Sequence, residues 1–275
     1  MTSPLPADDP ARPEPPAPGS AGSSAVRLRI DLAYDGSGFH GFARQRDVRT
    51  IQSVLEAALE RLVGPVETAV AGRTDAGVHA LGQVVSVDVP AGTRILGDLD
   101  RARTALDRLC GPEITIWSLR QVDPDFHARF SATRRRYRYR LADADALAPL
   151  ARHDTWHVGP PRLDVSAMAE GGAHLLGEHD FASFCRRAGD GRLVRRIDRL
   201  EVRRALDLVV VEVNGPAFCH QMVRSIVGCL VAVGRGRRSP AQVAEALAAR
   251  DRAAVGAIAP PHGLTLLGVD FAECP

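Results

Sequence analysis

Hydrophobic positions recur along this chain with two spacings, which predict strands and helices in alternation. From Val26 the segment VRLRIDLAYD alternates apolar and polar residues like a half-buried strand. Apolar residues then recur at helical spacing between Thr50, a predicted cap, and Gly64, a predicted stop. The same patterns predict strands at 67–71, 83–89, 113–122, 134–141, 199–213 and 264–271, and helices at 99–109, 164–176, 218–233 and 240–249.

This alternation occurs twice along the chain, and it predicts an α/β (α+β) fold with two similar halves around a cleft. Residues 1–24 are rich in Pro, Ser, Gly and Ala and lack a hydrophobic period, so we predict a disordered tail there. The predicted domains are then residues 25–123 and residues 124–275.

The composition excludes several classes of chemistry. All 35 basic residues are arginine, so Walker-A ATP hydrolysis, Schiff-base catalysis and pyridoxal phosphate linkage are excluded. The five cysteines form no C-x-x-C pair, which predicts reduced thiols in a cytoplasmic protein without structural zinc. No signal-peptide core is present, and the longest apolar run, residues 226–233, is too short to cross a membrane.

Arginine dominates the predicted strand RRRYRYR. Because strand side chains alternate between two faces, one face carries Arg134, Arg136, Arg138 and Arg140. The other face carries Arg135, Tyr137 and Tyr139. A row of arginines suits a phosphate track and tyrosines suit base stacking, although a charged edge strand gives the same pattern. These features favour a nucleic-acid partner, and without a helix-turn-helix or zinc signature a DNA-binding regulator is disfavoured.

The segment AGRTDAGVH places Asp75 between Gly72 and Gly77 and close to Arg73. The glycines permit a tight turn and a close approach to a ligand, and Arg73 is near enough to hold the carboxylate ionised. A single carboxylate in this setting can act as a nucleophile or a general base. The alternative is an Asx-turn, in which the carboxylate only caps its own backbone.

Three further segments are unusual. In FCHQMVRSIVG, His220 and Arg224 are spaced i, i+4 on an apolar predicted helix. Arg224 there needs an anionic partner, for which Asp75 is a candidate, unless its side chain extends to solvent. The segment YDGSGFHGF, from Tyr34, is either functional or a plain turn. The segment DFHARFSA, from Asp125, is either functional or a linker.

Together these segments resemble the tRNA pseudouridine synthase A family. The resemblance rests on YDGSGFHGF, AGRTDAGVHALGQV, DFHARFSATRRRYRY, FCHQMVRSIVG and PPHGL, in this order within residues 26–271. It implies two halves like RNA-recognition modules, whose mostly antiparallel sheets join across a central catalytic cleft with helices on the outer face. It also implies a cytoplasmic homodimer that converts uridine to pseudouridine in the tRNA anticodon stem–loop, at positions 38–40, without a cofactor or metal.

The resemblance further implies roles for five side chains. Asp75 matches the catalytic nucleophile, Tyr137 the tyrosine that stacks on the target base, and Arg224 the arginine that pairs with the aspartate. Arg73 matches an arginine beside the flipped nucleotide, and Leu264 an apolar contact to the base. Phosphate contacts are predicted for Arg134, Arg136 and Arg138. The alternative is a non-catalytic RNA-binding protein or tRNA chaperone on the same scaffold, which would not need Asp75.

Overall fold

The computed structural model describes residues 25–186 and 193–272, which contain eleven strands and five α-helices. The tail predicted for residues 1–24 lies outside these residues. The strands are β1 (Ala25–Tyr34), β2 (Thr68–Val70), β3 (His79–Pro90), β4 (Ile114–Gln121), β5 (Ala132–Ala142), β6 (Trp156–His157), β7 (Gly177–Asp180), β8 (Val194–Ile197), β9 (Arg199–Ala205), β10 (Leu208–Gly215) and β11 (Leu264–Phe271). The helices are α1 (Ile51–Val63), α2 (Leu99–Cys110), α3 (Val165–Ala173), α4 (Met222–Gly234) and α5 (Ala241–Ala249).

A continuous sheet runs through both halves of the chain in the order β4-β1-β3-β11-β5-β10-β9. Strand β2 adds to β3 and β6 adds to β5, while β7 and β8 form a separate pair. Neighbours are antiparallel except β11 with β3 and β5 with β6. The predicted mixed α/β fold with a mostly antiparallel sheet is therefore confirmed. The domain boundary at residues 123–124 stays a prediction.

The last strand, β11, joins the two halves because it lies between β3 and β5. Its parallel contact with β3 pairs Thr265 with His79 and Leu266 with Ala80, at the point where the AGRTDAGVH loop ends. On its other side β11 is antiparallel to β5 and pairs Leu266 with Tyr137. The end of the chain therefore brings the arginine–tyrosine strand next to the aspartate loop.

Helix α1 forms where the sequence predicts it. In α1 the Thr50 side chain accepts from the Ser53 amide and the Ser53 hydroxyl accepts from the Thr50 amide, which forms a capping box. The apolar stripe of this helix buries Leu55 and Leu59 completely. None of the helices within residues 25–186 and 193–272 is both long and apolar enough to cross a membrane.

The start of α4 differs from the prediction. The apolar pattern predicts a helix from Phe218, but α4 begins at Met222, and Gln221 before it is left-handed with φ 66°. Phe218 instead packs edge-on against Tyr137, with ring centroids 5.2 Å apart. These tertiary contacts override the helical pattern, so His220 does not share a helix with the residues that follow it.

The turn after β1 packs directly on the AGRTDAGVH loop. The Gly36 amide donates to His79 Nδ1 at 3.1 Å, and the Phe42 amide donates to the Thr74 carbonyl at 3.1 Å. A Cβ atom at Gly36 would lie 2.0 Å from the Val78 carbonyl oxygen. The YDGSGFHGF segment therefore supports the backbone on both sides of Asp75.

We predict that Gly36→Ala destabilises the fold, because its Cβ collides with a backbone atom that cannot rotate away. The expected loss is about 1–3 kcal/mol of unfolding free energy, measured by urea denaturation. Gly38→Ala is the matched control, since the nearest atom to its Cβ is Arg49 Nη1 at 3.6 Å. Equal unfolding midpoints for the two variants would contradict the packing argument.

Candidate active site

Asp75 lies in the loop between β2 and β3, and two side chains from the second half of the chain hold its carboxylate. Arg224 Nη1 donates to Oδ2 at 2.9 Å, and His220 Nε2 lies 3.2 Å from Oδ1. The Asp75 side chain is 19% exposed, so a substrate can still reach it. Among the described residues, its carboxylate contacts these side chains rather than its own backbone. The predicted Asp75–Arg224 pair is confirmed, and its catalytic role stays a prediction.

Arg224 is itself fixed from two directions. It lies in the first turn of α4, and its Nε donates to the Ala259 carbonyl at 2.9 Å. The Ala259 amide in turn donates to the Arg224 carbonyl at 3.1 Å. The side chain is 12% exposed. The guanidinium therefore presents one N–H group to Asp75 from a fixed position, and the positive end of the helix dipole adds to the attraction.

Arg73 does not have the position that its sequence neighbourhood suggested. Its side chain is exposed, and the ion pairs that the structure describes for Asp75 are with Arg224 and His220. The positive charge beside the carboxylate thus belongs to Arg224, which is 149 residues away along the chain, and not to Arg73, which is two residues away. An exposed Arg73 beside the loop remains available for the predicted contact with a flipped nucleotide.

Tyr137 lies on β5, and its hydroxyl points toward the same loop. Its oxygen is 3.6 Å from where a Cβ on Gly72 would lie, and the ring packs on Phe218. Only 7% of the residue is exposed, so a base can reach only a small part of the ring. Burial, with a contribution from Tyr34, raises the Tyr137 pKa well above its usual range. The hydroxyl therefore keeps its proton at neutral pH.

A buried polar network holds the first part of the loop. The Gln83 side chain donates to the Gly72 carbonyl at 2.7 Å and to the Tyr34 hydroxyl at 3.1 Å. The Tyr34 hydroxyl also bonds to Thr74 Oγ1 at 2.8 Å, and burial raises the pKa of Tyr34 to about 12. Sequence analysis missed Gln83, although a glutamine at an inward position of an apolar strand was a signal for it.

Arg135 holds the same loop from the opposite half. Its guanidinium is buried, and it donates to the carbonyl oxygens of Ala71, Arg129, Ala132 and Pro216. Burial lowers the pKa of this guanidinium. Sequence analysis placed Arg135 on the tyrosine face of its strand but gave it no role. An arginine on an otherwise aromatic face was the signal that it binds backbone oxygens.

The arginine row does not lie beside Asp75. Strand alternation places Arg134, Arg136 and Arg138 on the face of β5 opposite Tyr137. On that face Arg136 pairs with Asp270 at 3.2 Å, and Arg134 lies 4.0 Å from the same carboxylate. The alternation predicted from the sequence is present. The contact of this row with phosphate stays a prediction, and it concerns a surface separate from the carboxylate.

Leu264 begins β11 directly after the 3-10 turn Pro261–Gly263, and Pro261 approaches Gly77 of the aspartate loop. Leu264 is buried and pairs with Tyr139, whereas Leu266 is the partner of Tyr137.

The turn Pro261–Gly263 packs against the aspartate loop at Gly77 and leads into β11, where Leu264 lies. Leu264 is buried, and it lies two residues before Leu266, the strand partner of Tyr137. The structure therefore brings Leu264 near the loop that carries Asp75. Its contact with a base stays a prediction.

Two of the cysteines lie close together. The Cα atoms of Cys185 and Cys219 are 5.8 Å apart, a separation that a disulfide can bridge, and the reduced state of these thiols stays a prediction. Cys110 and Cys229 are free and buried, and Cys274 lies outside the described residues. The sequence did not show this proximity, because 34 residues separate the two cysteines and only the fold brings them together.

The site presents an anchored carboxylate, a buried tyrosine and an exposed arginine around one loop. Within residues 25–186 and 193–272, no group of three or more His, Cys, Asp or Glu side chains could hold a metal ion. A carboxylate that accepts a hydrogen bond from Arg224 and contacts His220, with its burial incomplete, is suited to nucleophilic attack on a bound substrate.

Comparison with known proteins connects this geometry to a reaction. A family model described as tRNA pseudouridine synthase matches the chain over residues 32–131 and 173–272. The tRNA pseudouridine synthase A of Frankia casuarinae is 48% identical over 256 residues, which cover 91% of this chain and 91% of that protein. The protein of the same name from Methylococcus capsulatus is 46% identical and covers 90% of each chain. Nothing in these matches supports a non-catalytic RNA-binding protein, and the chain belongs to the tRNA pseudouridine synthase family.

Proposed function

We propose that this protein converts uridine to pseudouridine in the anticodon arm of tRNA, at positions 38–40, with Asp75 as the nucleophile. The observation that carries the proposal is the Asp75 carboxylate, which Arg224 holds at 2.9 Å in a loop open to substrate. The reaction breaks the N1–C1′ bond, turns the base and forms a C5–C1′ bond. The product is an isomer of the substrate, so no oxidant, reductant or group donor is consumed.

The pairing with Arg224 supports Asp75 as a nucleophile on electrostatic grounds. A carboxylate that is mostly buried loses hydration, and an adjacent guanidinium offsets part of that cost. The contact uses Oδ2 of Asp75, and lone pairs on both oxygens remain for a further partner. The carboxylate is therefore oriented and still able to form a bond with the substrate.

Access to the target uridine requires that its base leave the stack. Unstacking costs a few kcal/mol, and an aromatic side chain recovers about 1–3 kcal/mol per stacked base. Tyr137 supplies the ring in this proposal, Leu264 an apolar contact, and Arg73 a contact with the flipped nucleotide. The exposure of Arg73 at the rim of the loop supports its part.

The Tyr137 hydroxyl has a second part in the proposal, which is to help move the proton from C5. Because burial raises its pKa, the hydroxyl enters the reaction neutral and can relay a proton while donating its own. A phenolate base at neutral pH is disfavoured by the same burial.

The family resemblance also supports a homodimer that works in the cytoplasm, and both are part of the proposal.

We predict that Asp75→Asn abolishes turnover and leaves tRNA affinity within about two-fold, because an amide is not a nucleophile. The expected loss in rate is at least about 1,000-fold. Purified protein is incubated with an unmodified tRNA transcript, and pseudouridine is mapped at base resolution. Asp270→Asn is the control, since Asp270 lies on the opposite face of the sheet beside Arg136. A near-normal rate for Asp75→Asn would show that another group attacks.

We predict that Tyr137→Phe keeps tRNA affinity and slows the chemical step by about 100-fold, the scale of proton-transfer catalysis. The ring still stacks, and only the hydroxyl is removed. Single-turnover rates and filter-binding affinities are measured separately. Because burial raises the Tyr137 pKa, the hydroxyl stays neutral between pH 7 and pH 9. The rates of wild type and of Tyr137→Phe should therefore depend on pH in the same way over this range. An unchanged rate for the variant would exclude a role for the hydroxyl.

We predict that the arginine row contributes to binding and not to the chemical step. Arg138→Gln should lower the slope of log affinity against log salt by about 0.7–0.9, the value for one phosphate contact. The single-turnover rate at saturating protein should not change. Arg108→Gln is the control, since Arg108 is exposed in the last turn of α2. Equal slopes for wild type and Arg138→Gln would remove this residue from the phosphate contacts.

A further inference from the structure

His220 contacts the oxygen of Asp75 that Arg224 leaves free. Its Nε2 lies 3.2 Å from Oδ1, while Arg224 Nη1 binds Oδ2 at 2.9 Å. The two nitrogens come from the same segment of chain, on either side of the left-handed Gln221. If the helix began at Phe218, as the apolar pattern predicts, His220 would lie in its first turn. Because α4 begins only at Met222, His220 lies before the helix and its imidazole reaches the carboxylate.

A second contact on the carboxylate has a specific physical effect. The torsion about the Cβ–Cγ bond of aspartate is broad, with no sharp staggered minimum. The hydrogen bond from Arg224 to Oδ2 restrains this torsion from one side, and the His220 nitrogen beside Oδ1 restrains it from the other. Together the two contacts narrow the range over which the carboxylate plane turns. For a nucleophile the plane matters, because it sets the direction of the attacking lone pair.

The backbone that carries His220 is held in place. Its carbonyl accepts from the Arg186 amide at 2.9 Å, and the Met222 amide donates to the Cys219 carbonyl at 3.1 Å. Cys219 also lies against Cys185 of the same neighbouring segment, with Cα atoms 5.8 Å apart. The imidazole is 48% exposed. The backbone therefore sets where the imidazole begins, and its contact with Oδ1 sets where it ends.

We propose that His220 is a positioning residue that restrains the carboxylate plane of Asp75 through the contact of its Nε2 with Oδ1. The proposal rests on the function proposed above, since it assigns His220 a part in the attack by Asp75. His220 acts through the carboxylate and forms no bond with the substrate. Its removal should therefore lower the rate of the chemical step and leave tRNA binding unchanged.

The test compares two substitutions in the full-length protein under single-turnover conditions. His220→Ala removes the contact with Oδ1, and we expect a rate at least about 10-fold lower, within the range known for a slightly misplaced reacting group. His220→Gln keeps a neutral N–H donor of similar reach, and we expect it to recover most of the rate. The control is His174→Ala, an exposed histidine at the end of α3, which should match wild type.

The affinity for tRNA is measured on the same variants, together with their melting temperatures. Unchanged affinity with a slow Ala variant and a fast Gln variant supports the proposal. A normal rate for His220→Ala overturns it, and so does an equal loss for Ala and Gln. Loss of affinity without loss of rate overturns it as well, since His220 would then contact the RNA. Absence of pseudouridine from wild type would instead reject the proposed function.

Discussion

The ion pair between Asp75 and Arg224 is the interaction on which the rest of the site depends. It joins a loop of the first half to the first turn of α4 in the second half, and both side chains are mostly buried. Removing one partner of such a pair leaves an uncompensated charge, at a cost of about 3–5 kcal/mol. The pair is therefore stable only while both halves keep their relative position. Strand β11 supplies that constraint, because it pairs with β3 and β5 at once.

The loop that carries Asp75 is held mainly through its backbone. Arg135 and Gln83 donate to the carbonyl oxygens of Ala71 and Gly72, from strands on either side of β11. These bonds do not involve the carboxylate, so they restrict its position without competing for its lone pairs. A polar network of this kind is rigid only when each member is satisfied. The four carbonyl partners of Arg135 meet that condition for the guanidinium.

The sequence predicts the elements whose stability is local and misses the contacts that depend on the fold. Helix α1 follows from its apolar stripe and its cap at Thr50, and the two faces of β5 follow from alternation. Asp75 was a candidate partner for Arg224 because a cation on an apolar helix needs an anion, and the family resemblance implied the same pair. The left-handed Gln221 could not be predicted, because Phe218 and Cys219 leave the helical pattern only for partners on distant segments.

Strand β5 separates two functions by its two faces. On the inner face the charge of Arg135 is used entirely within the protein, on backbone oxygens. On the outer face Arg134 and Arg136 are half exposed and share Asp270. An exposed ion pair contributes only about 0–1 kcal/mol, so a phosphate can replace the carboxylate at little cost. Pairing with Asp270 therefore does not oppose phosphate binding, and it limits repulsion between neighbouring arginines while no RNA is bound.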